Sequence, residues 1–249
     1  MMEKINKIIN DLQNQEKINT NTWKKPTKYK DTCITCGKEF EFEDTPKERW
    51  VNPRKYFCSD KCKTIHKEKL YRKRLTIIPI KFRDIECDKP DIMKQGIEQS
   101  MFITGISGVG KTVLMAGIAK EILKVKEREV KWISYPGFIM ELQSLFRKDD
   151  EITPFDIAEE TASFPGTLAI DDIGAEKITA FVQQITYYII NYREQEMLHT
   201  LITSNFSLQQ IDEQIDARIS SRIGGMCKIV KLTGKDRRLE KKKEKLKNE

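Results

Sequence analysis

No stretch of this 249-residue chain approaches the ~20 consecutive apolar residues that a bilayer-crossing helix needs, which excludes a membrane-spanning helix. No apolar segment of 7–15 residues follows the charges of Met1-Met2-Glu3-Lys4-Ile5-Asn6-Lys7, so the expectation is no secretory leader and a reducing, cytoplasmic setting. No internal repeat is found. At 29.1 kDa the chain has room for one ample domain or two modest ones. Its formal charge of +7 is unevenly spread. Residues 1–75 hold 19 basic and 11 acidic side chains, residues 235–249 hold 8 and 4, and the acidic middle holds 18 and 23. Basic ends around an acidic core favour a polyanionic partner, though as a modest prior.

Residues 1–20 set Ile5, Ile8, Ile9 and Leu12 at the spacing of one helix stripe, suited to packing at home or on a partner. Four of the six cysteines then fall within 30 residues, followed by a charged helical run from Lys67 to Arg74. Ile77-Ile78-Pro79-Ile80 breaks that helix, which puts a boundary between residues 1–75 and 76–249. Beyond it, strands are expected at Met101–Thr104, Val130–Ser134, Thr167–Ile170 and Thr200–Thr203, and helices at Lys111–Lys126, Phe138–Arg147 and Phe181–Arg193. Such alternation predicts an α/β fold with a parallel sheet flanked by helices. The closing residues, Leu239 to Glu249, are nearly all charged and are expected to fray.

Gly105-Ile106-Ser107-Gly108-Val109-Gly110-Lys111-Thr112 fits the phosphate-binding pattern G-x-x-x-x-G-K-[ST] between an expected strand and an expected helix. There the backbone N–H groups of Gly105, Ser107, Gly108, Val109, Gly110 and Val113 and the helix dipole would hold ATP phosphates. Lys111 adds a point charge and Thr112 a hydroxyl for Mg²⁺. Asp171-Asp172 closes the apolar run Leu168-Ala169-Ile170, so Asp171 is placed to share Mg²⁺ with Thr112 and Asp172 to polarise the attacking water. Acids capping a neighbouring helix would read the same. Thr203-Ser204-Asn205 ends the next strand with polar groups. Arg218 and Arg222 sit four apart on one helix face, either solvated or offered to a neighbouring subunit's γ-phosphate.

In this order the motifs resemble the AAA+ ATPases that load bacterial replicative helicases, the DnaC/DnaI-like loaders of bacteria and phages. The resemblance spans residues ~76–238 and is strongest at Ile78-Pro79-Ile80-Lys81-Phe82, at Ile170-Asp171-Asp172-Ile173-Gly174-Ala175-Glu176, and from Arg218 to Arg238. It implies Asn205 as sensor 1, Arg222 as arginine finger with Arg218 beside it, and Arg238 as sensor 2. It also implies self-assembly into an ATP-dependent ring or spiral that grips single-stranded DNA and a hexameric helicase. Many relatives carry Asp-Glu where this chain has Asp171-Asp172, and the shorter arm implies slow, switch-like hydrolysis. Only 27 residues follow Arg222, too few for a separate lid domain, which such loaders also lack.

Cys33-Ile34-Thr35-Cys36-Gly37 and Cys58-Ser59-Asp60-Lys61-Cys62, with 21 residues between Cys36 and Cys58, have the spacing of a closed four-thiolate Zn²⁺ site. Ser59 is expected to cap the helix that carries Cys62. His66, a turn further, competes for one ligand position but is better read as a surface or supporting group. Cys87 and Cys227 have no nearby partner and read as ordinary buried or half-buried residues.

Trp23, Tyr29, Trp50, Tyr56 and Phe57, interleaved with lysines, suit either nucleic-acid stacking or, by preference, the core of a small domain. By the resemblance this domain docks on the helicase, through its own surface or the isoleucine stripe. Arg147, Lys148 and Lys177 are candidate DNA contacts of the ATPase half, with solvated charge the better default. Helicase loading leads. Accessory ATPase of DNA transposition is the alternative, and a zinc adaptor with a degenerate ATPase is a third reading.

Overall fold

Strands covered on both faces need unbroken apolar runs, and the chain supplies them at the centre of its sheet. The structure is a computed structural model describing residues 26–44, 56–126, 128–146 and 152–239. The Ile5-Ile8-Ile9-Leu12 stripe, Trp23, Trp50, Arg147, Lys148 and the charged tail past Leu239 lie outside the described residues. The chain divides into two compact units, Met1–Arg72 and Lys73–Glu249.

In the first unit, β1 (Thr27–Thr32) and β2 (Glu39–Asp44) form an antiparallel pair in which Tyr29 faces Phe42. Period-two alternation collects Tyr29, Phe40 and Phe42 on one face, with ring centroids 5.9 Å and 5.7 Å apart, while lysines and glutamates take the other. Helix α1 (Asp60–Leu75), whose last three residues belong to the second unit, starts where Ser59 accepts a hydrogen bond from the Cys62 N–H at 3.3 Å, and none of its residues is buried.

In the second unit the elements run α2 (Ile80–Arg83), α3 (Pro90–Glu98), β3 (Met101–Thr104), α4 (Lys111–Glu121), a π-type turn (Ile122–Lys126), β4 (Val130–Ser134) and α5 (Tyr135–Leu145). They continue as α6 (Pro154–Ala162), β5 (Thr167–Ile173), α7 (Ala180–Gln195), β6 (Thr200–Ser204), α8 (Leu208–Gln214), α9 (Ala217–Met226) and β7 (Lys228–Lys231). Five parallel strands lie in the order β4-β5-β6-β3-β7. Phe102, Leu168, Ile170 and Ile202 join the core beneath α5, α6, α7 and α9. The alternate residues Met101, Ile103, Ala169 and Leu201 are equally buried and lie outside that cluster, and α4 packs on β3, β5 and β6. Edge strand β7 begins and ends in exposed lysines, a pattern that discourages further strand pairing.

Among the boundaries that differ from the sequence expectation, two have a local reason. Pro136 fixes a helical φ in the first turn, so α5 begins at Tyr135 rather than Phe138. Strand β5 runs on to Ile173 because a bulge between Ile170 and Ile173 absorbs Asp171 and Asp172 without ending the strand.

Arg193, fully buried, has no carboxylate partner among its hydrogen bonds. It donates instead to the carbonyls of Ala162, Phe164, Gly166 and His199 at 2.8–3.1 Å and to Thr200 Oγ1 at 2.8 Å. These bonds tie the end of α6 to the turn before β6. Burial draws its guanidinium down to about 10.

Candidate nucleotide site and cysteine centre

The loop between β3 and α4 wraps a helix N-terminus. Gly108 and Gly110 adopt φ of 75° and 107°, which glycine reaches without the penalty of a Cβ. A side chain at Gly108 would collide with the carboxylate of Asp236, and a Cβ at Gly110 would touch the Arg237 guanidinium at 3.5 Å. The segment after β7 therefore lies across the loop, with the Arg237 N–H bonded to Gly108 O at 3.1 Å and its guanidinium to Asp88 at 3.1 Å.

Lys111, only 5% exposed, folds back to donate to Gly105 O (2.9 Å), Ile106 O (3.1 Å) and Asn205 Oδ1 (2.7 Å). Burial pulls its ammonium below the ordinary lysine range, against the charges of Asp172 and Asp171. Asp171 Oδ1 accepts from Thr112 Oγ1 at 3.0 Å and from Thr203 Oγ1 at 2.6 Å. Burial raises this carboxyl and the Asp172 charge adds to the effect, while the two threonine hydroxyls pull it down. Thr203 Oγ1 in turn accepts from the Asp172 N–H at 2.9 Å, and Asp172 itself has φ 62°. The bulge thus turns the two acids in different directions: Asp171 to the phosphate loop, Asp172 to the open cleft.

That cleft, about 330 Å³, is lined by Lys81, Phe82, Ile85, Glu86, Ser107, Gly108, Gly110, Lys111, Thr112, Val113, Asp172, Asn205, Arg237 and Arg238. Sequence reasoning placed nine of these, together with the stretch ending in Lys81-Phe82. The Val109 side chain is buried against the loop rather than in the cleft, leaving it only a backbone contribution. Arg218 and Arg222 are not cleft residues of their own chain. Arg222 pairs with Glu194 and donates to the Tyr187 hydroxyl at 3.2 Å, while Arg218 pairs with Asp216 at 2.8 Å. Both guanidiniums lie over the Tyr187 ring, 5.3 Å and 4.7 Å from its centroid.

Residues that the sequence did not single out are Thr203 as the brace of Asp171, the cleft-lining pair Ile85 and Glu86, and the Arg237–Asp88 pair. Thr203 carried a usable signal, being a hydroxyl residue at a strand end beside an acidic pair. Arg237 and Asp88 are brought together only by the fold. The oxygens suit a hard cation: the Asp171 carboxylate and the Thr112 hydroxyl lie 3.0 Å apart.

The four cysteines of the first unit also converge. All four Sγ atoms lie within 4.8 Å of one another, with Cys36–Cys58 and Cys58–Cys62 at 3.6 Å. A tetrahedral Zn²⁺ with ligands at about 2.3 Å needs sulfurs about 3.8 Å apart, so the set fits zinc. Gly37, at φ 72°, lets the first knuckle close through its N–H to Cys33 O at 2.8 Å. Burial opposes ionisation of Cys33, but the backbone N–H groups of Cys58, Cys36 and Thr35 outweigh it and bring the thiol to about 6. Hydrogen bonding with Cys62 and then Cys36 pushes Cys58 up to about 12. The His66 ring instead packs on Phe57, centroids 5.2 Å apart, and is not part of the cluster.

A parallel sheet with this phosphate loop, an acidic bulge on the neighbouring strand and helices on both faces defines an AAA+ P-loop ATPase fold. The chain belongs to the bacterial DnaA ATPase-domain family, whose model matches residues 92–229. It is 28% identical over 156 residues to the replicative helicase loader DnaI of Bacillus subtilis (strain 168). That match takes in 57% of this chain and 49% of the relative, so the chain spans about half the length of the curated relative. Among solved structures it is similar to replication initiator DnaA bound to AMPPCP and single-stranded DNA (TM-score 0.52, 22% identity, 69% of this chain and 56% of that one). It also matches a crystal structure of DnaI (TM-score 0.48, 24% identity, 65% and 94%). The resemblance read from the motifs is thus met in the comparisons. No helix among the described residues is long and apolar enough to cross a membrane.

Proposed function

We propose that the chain is a cytoplasmic, ATP-dependent loader of a replicative hexameric helicase, working on single-stranded DNA through a ring or spiral of its own copies. The observation that carries the ATP-dependent part is the convergence of Lys111, Thr112, Asp172 and Asn205, from three strand ends, on one cleft, with Asp171 bonded to Thr112 beside it. The likeness to DnaI supports the helicase as partner.

Bound ATP·Mg²⁺ supplies the phosphoryl group and neutralises its oxygens; the chain's residues bind and orient it. Lys111 exchanges two loop carbonyls and Asn205 for phosphate oxygens, which frees Asn205 to face the attacking water. Thr112 and Asp171 would hold Mg²⁺, with Thr203 fixing the carboxylate. Asp172 accepts the water's proton at the open side of the cleft. Arg238 and Arg237 close the cleft from the C-terminal segment. Arg222, with Arg218 beside it, serves a neighbouring copy's phosphates, consistent with its place outside its own cleft. Zn²⁺ would be held by Cys33, Cys36, Cys58 and Cys62, and a closed four-thiolate site would serve to stabilise a helicase-docking module too small to do without it.

Titrating a fluorescent ATP analogue into wild type and Lys111→Ala tests the nucleotide site. Lys111→Ala is expected to lose binding by about 100-fold or more, and equal affinity would refute the assignment.

A further inference from the structure

Helix α1 is polar on every side. Its 16 residues carry seven basic side chains, Lys61, Lys63, Lys67, Lys69, Arg72, Lys73 and Arg74, against Asp60 and Glu68. None of its residues is buried, and Ile65 and Leu70 lie on different sides of the helix, both exposed, so no apolar stripe holds it in a core. Lys69 and Lys73 stand at i, i+4 with like charge, which opposes the helix. One i, i+4 ion pair, Arg72–Glu68 at 3.0 Å, works the other way. A solvated surface helix mixes its signs; this one concentrates a single sign along about 24 Å.

Aromatic surface stands at its foot. Tyr56 is 52% exposed and packs obliquely on Phe57, centroids 6.3 Å apart. Phe57 rests on His66, in the second turn of α1, which anchors this corner to the helix. Tyr56 O also accepts from the Ile34 N–H at 3.0 Å, which fixes it to the cysteine knuckle. A positive rail ending in a rigidly mounted, open ring is what single-stranded nucleic acid takes up: phosphates along the charges and a base on the ring.

We propose that α1 and Tyr56 form a single-stranded DNA contact in the cysteine-bearing unit, separate from the nucleotide cleft. It rests on the loader reading only for the choice of DNA as the strand. Phosphates along α1 would offset its like-charge repulsion and give up their condensed counterions, and Tyr56 would hold the strand by stacking rather than by reading its sequence.

The test uses the full zinc-loaded chain and a labelled oligothymidylate, with anisotropy measured over a range of salt and without ATP. Lys61→Gln/Lys63→Gln/Lys69→Gln should lower affinity at least about tenfold at low salt and flatten the log K against log salt slope by about 2, near 0.7 per lost contact. The matching three Lys→Arg changes should keep wild-type binding, and Tyr56→Ala should weaken binding with the slope unchanged. The same losses should appear in a Lys111→Ala background, so a failed nucleotide site would leave them intact. Unchanged affinity and slope in the triple variant would overturn the proposal. So would equal competition by duplex of the same length, or a triple variant that keeps DNA but loses the helicase.

Discussion

Asp172 shows how one backbone angle selects a side chain. At φ 62° aspartate and asparagine are the most favoured residues after glycine, so the bulge that presents this acid suits the short arm. Asp172→Asn should therefore keep the fold and ATP affinity while turnover falls to background; isothermal titration with steady-state phosphate release separates the two. Thr203 is the complementary case. Its hydroxyl bridges Asp171 and the Asp172 N–H, so Thr203→Val should reduce turnover by roughly 10–100-fold with ATP affinity nearly unchanged, as expected of a group that only orients. Arg193 acts on stability alone. Removing its guanidinium takes a donor from four carbonyls, of which His199 O keeps the Leu168 N–H, and leaves a cavity, so Arg193→Ala should cost about 3–5 kcal/mol in urea unfolding.

At the scale of elements, α9 offers Arg222 away from its own cleft, held by Glu194 and Tyr187 of α7. Lys111→Ala and Arg222→Ala should each be inactive alone, yet a mixture should recover turnover, because a subunit with a working cleft meets a neighbour with a working finger. An inactive mixture would place the arginine in cis or outside the reaction. Elements also mark what was legible beforehand. Strands β3 and β4, the phosphate loop and the cysteine knuckles are written in contiguous residues, and their expected bounds or partners coincide with those observed. Strand β7 was not legible: Lys228-Ile229-Val230-Lys231 is short, charged at both ends and paired to a strand more than a hundred residues earlier. The same holds for Arg193, Thr203 and the Arg237–Asp88 pair, whose partners are set by tertiary contact rather than by period or motif.

Over the whole molecule, charge and chemistry divide between two units. The cysteine-bearing unit carries the basic excess and holds little apolar core among its described residues, so its fold should depend on Zn²⁺. A strong chelator should make Met1–Arg72 sensitive to protease while Lys73–Glu249 keeps its ATP affinity, as limited proteolysis and nucleotide titration on one sample would show. On the proposed reading, ATP binding in the second unit controls delivery of a helicase to DNA. The most direct measurement mixes the full chain with its replicative helicase and circular single-stranded DNA, with and without ATP, and counts helicase rings left on the circle. Deposition that needs ATP and fails with Lys111→Ala is the predicted result. Deposition indifferent to ATP and to Lys111, or no complex with the helicase under any nucleotide, would contradict it.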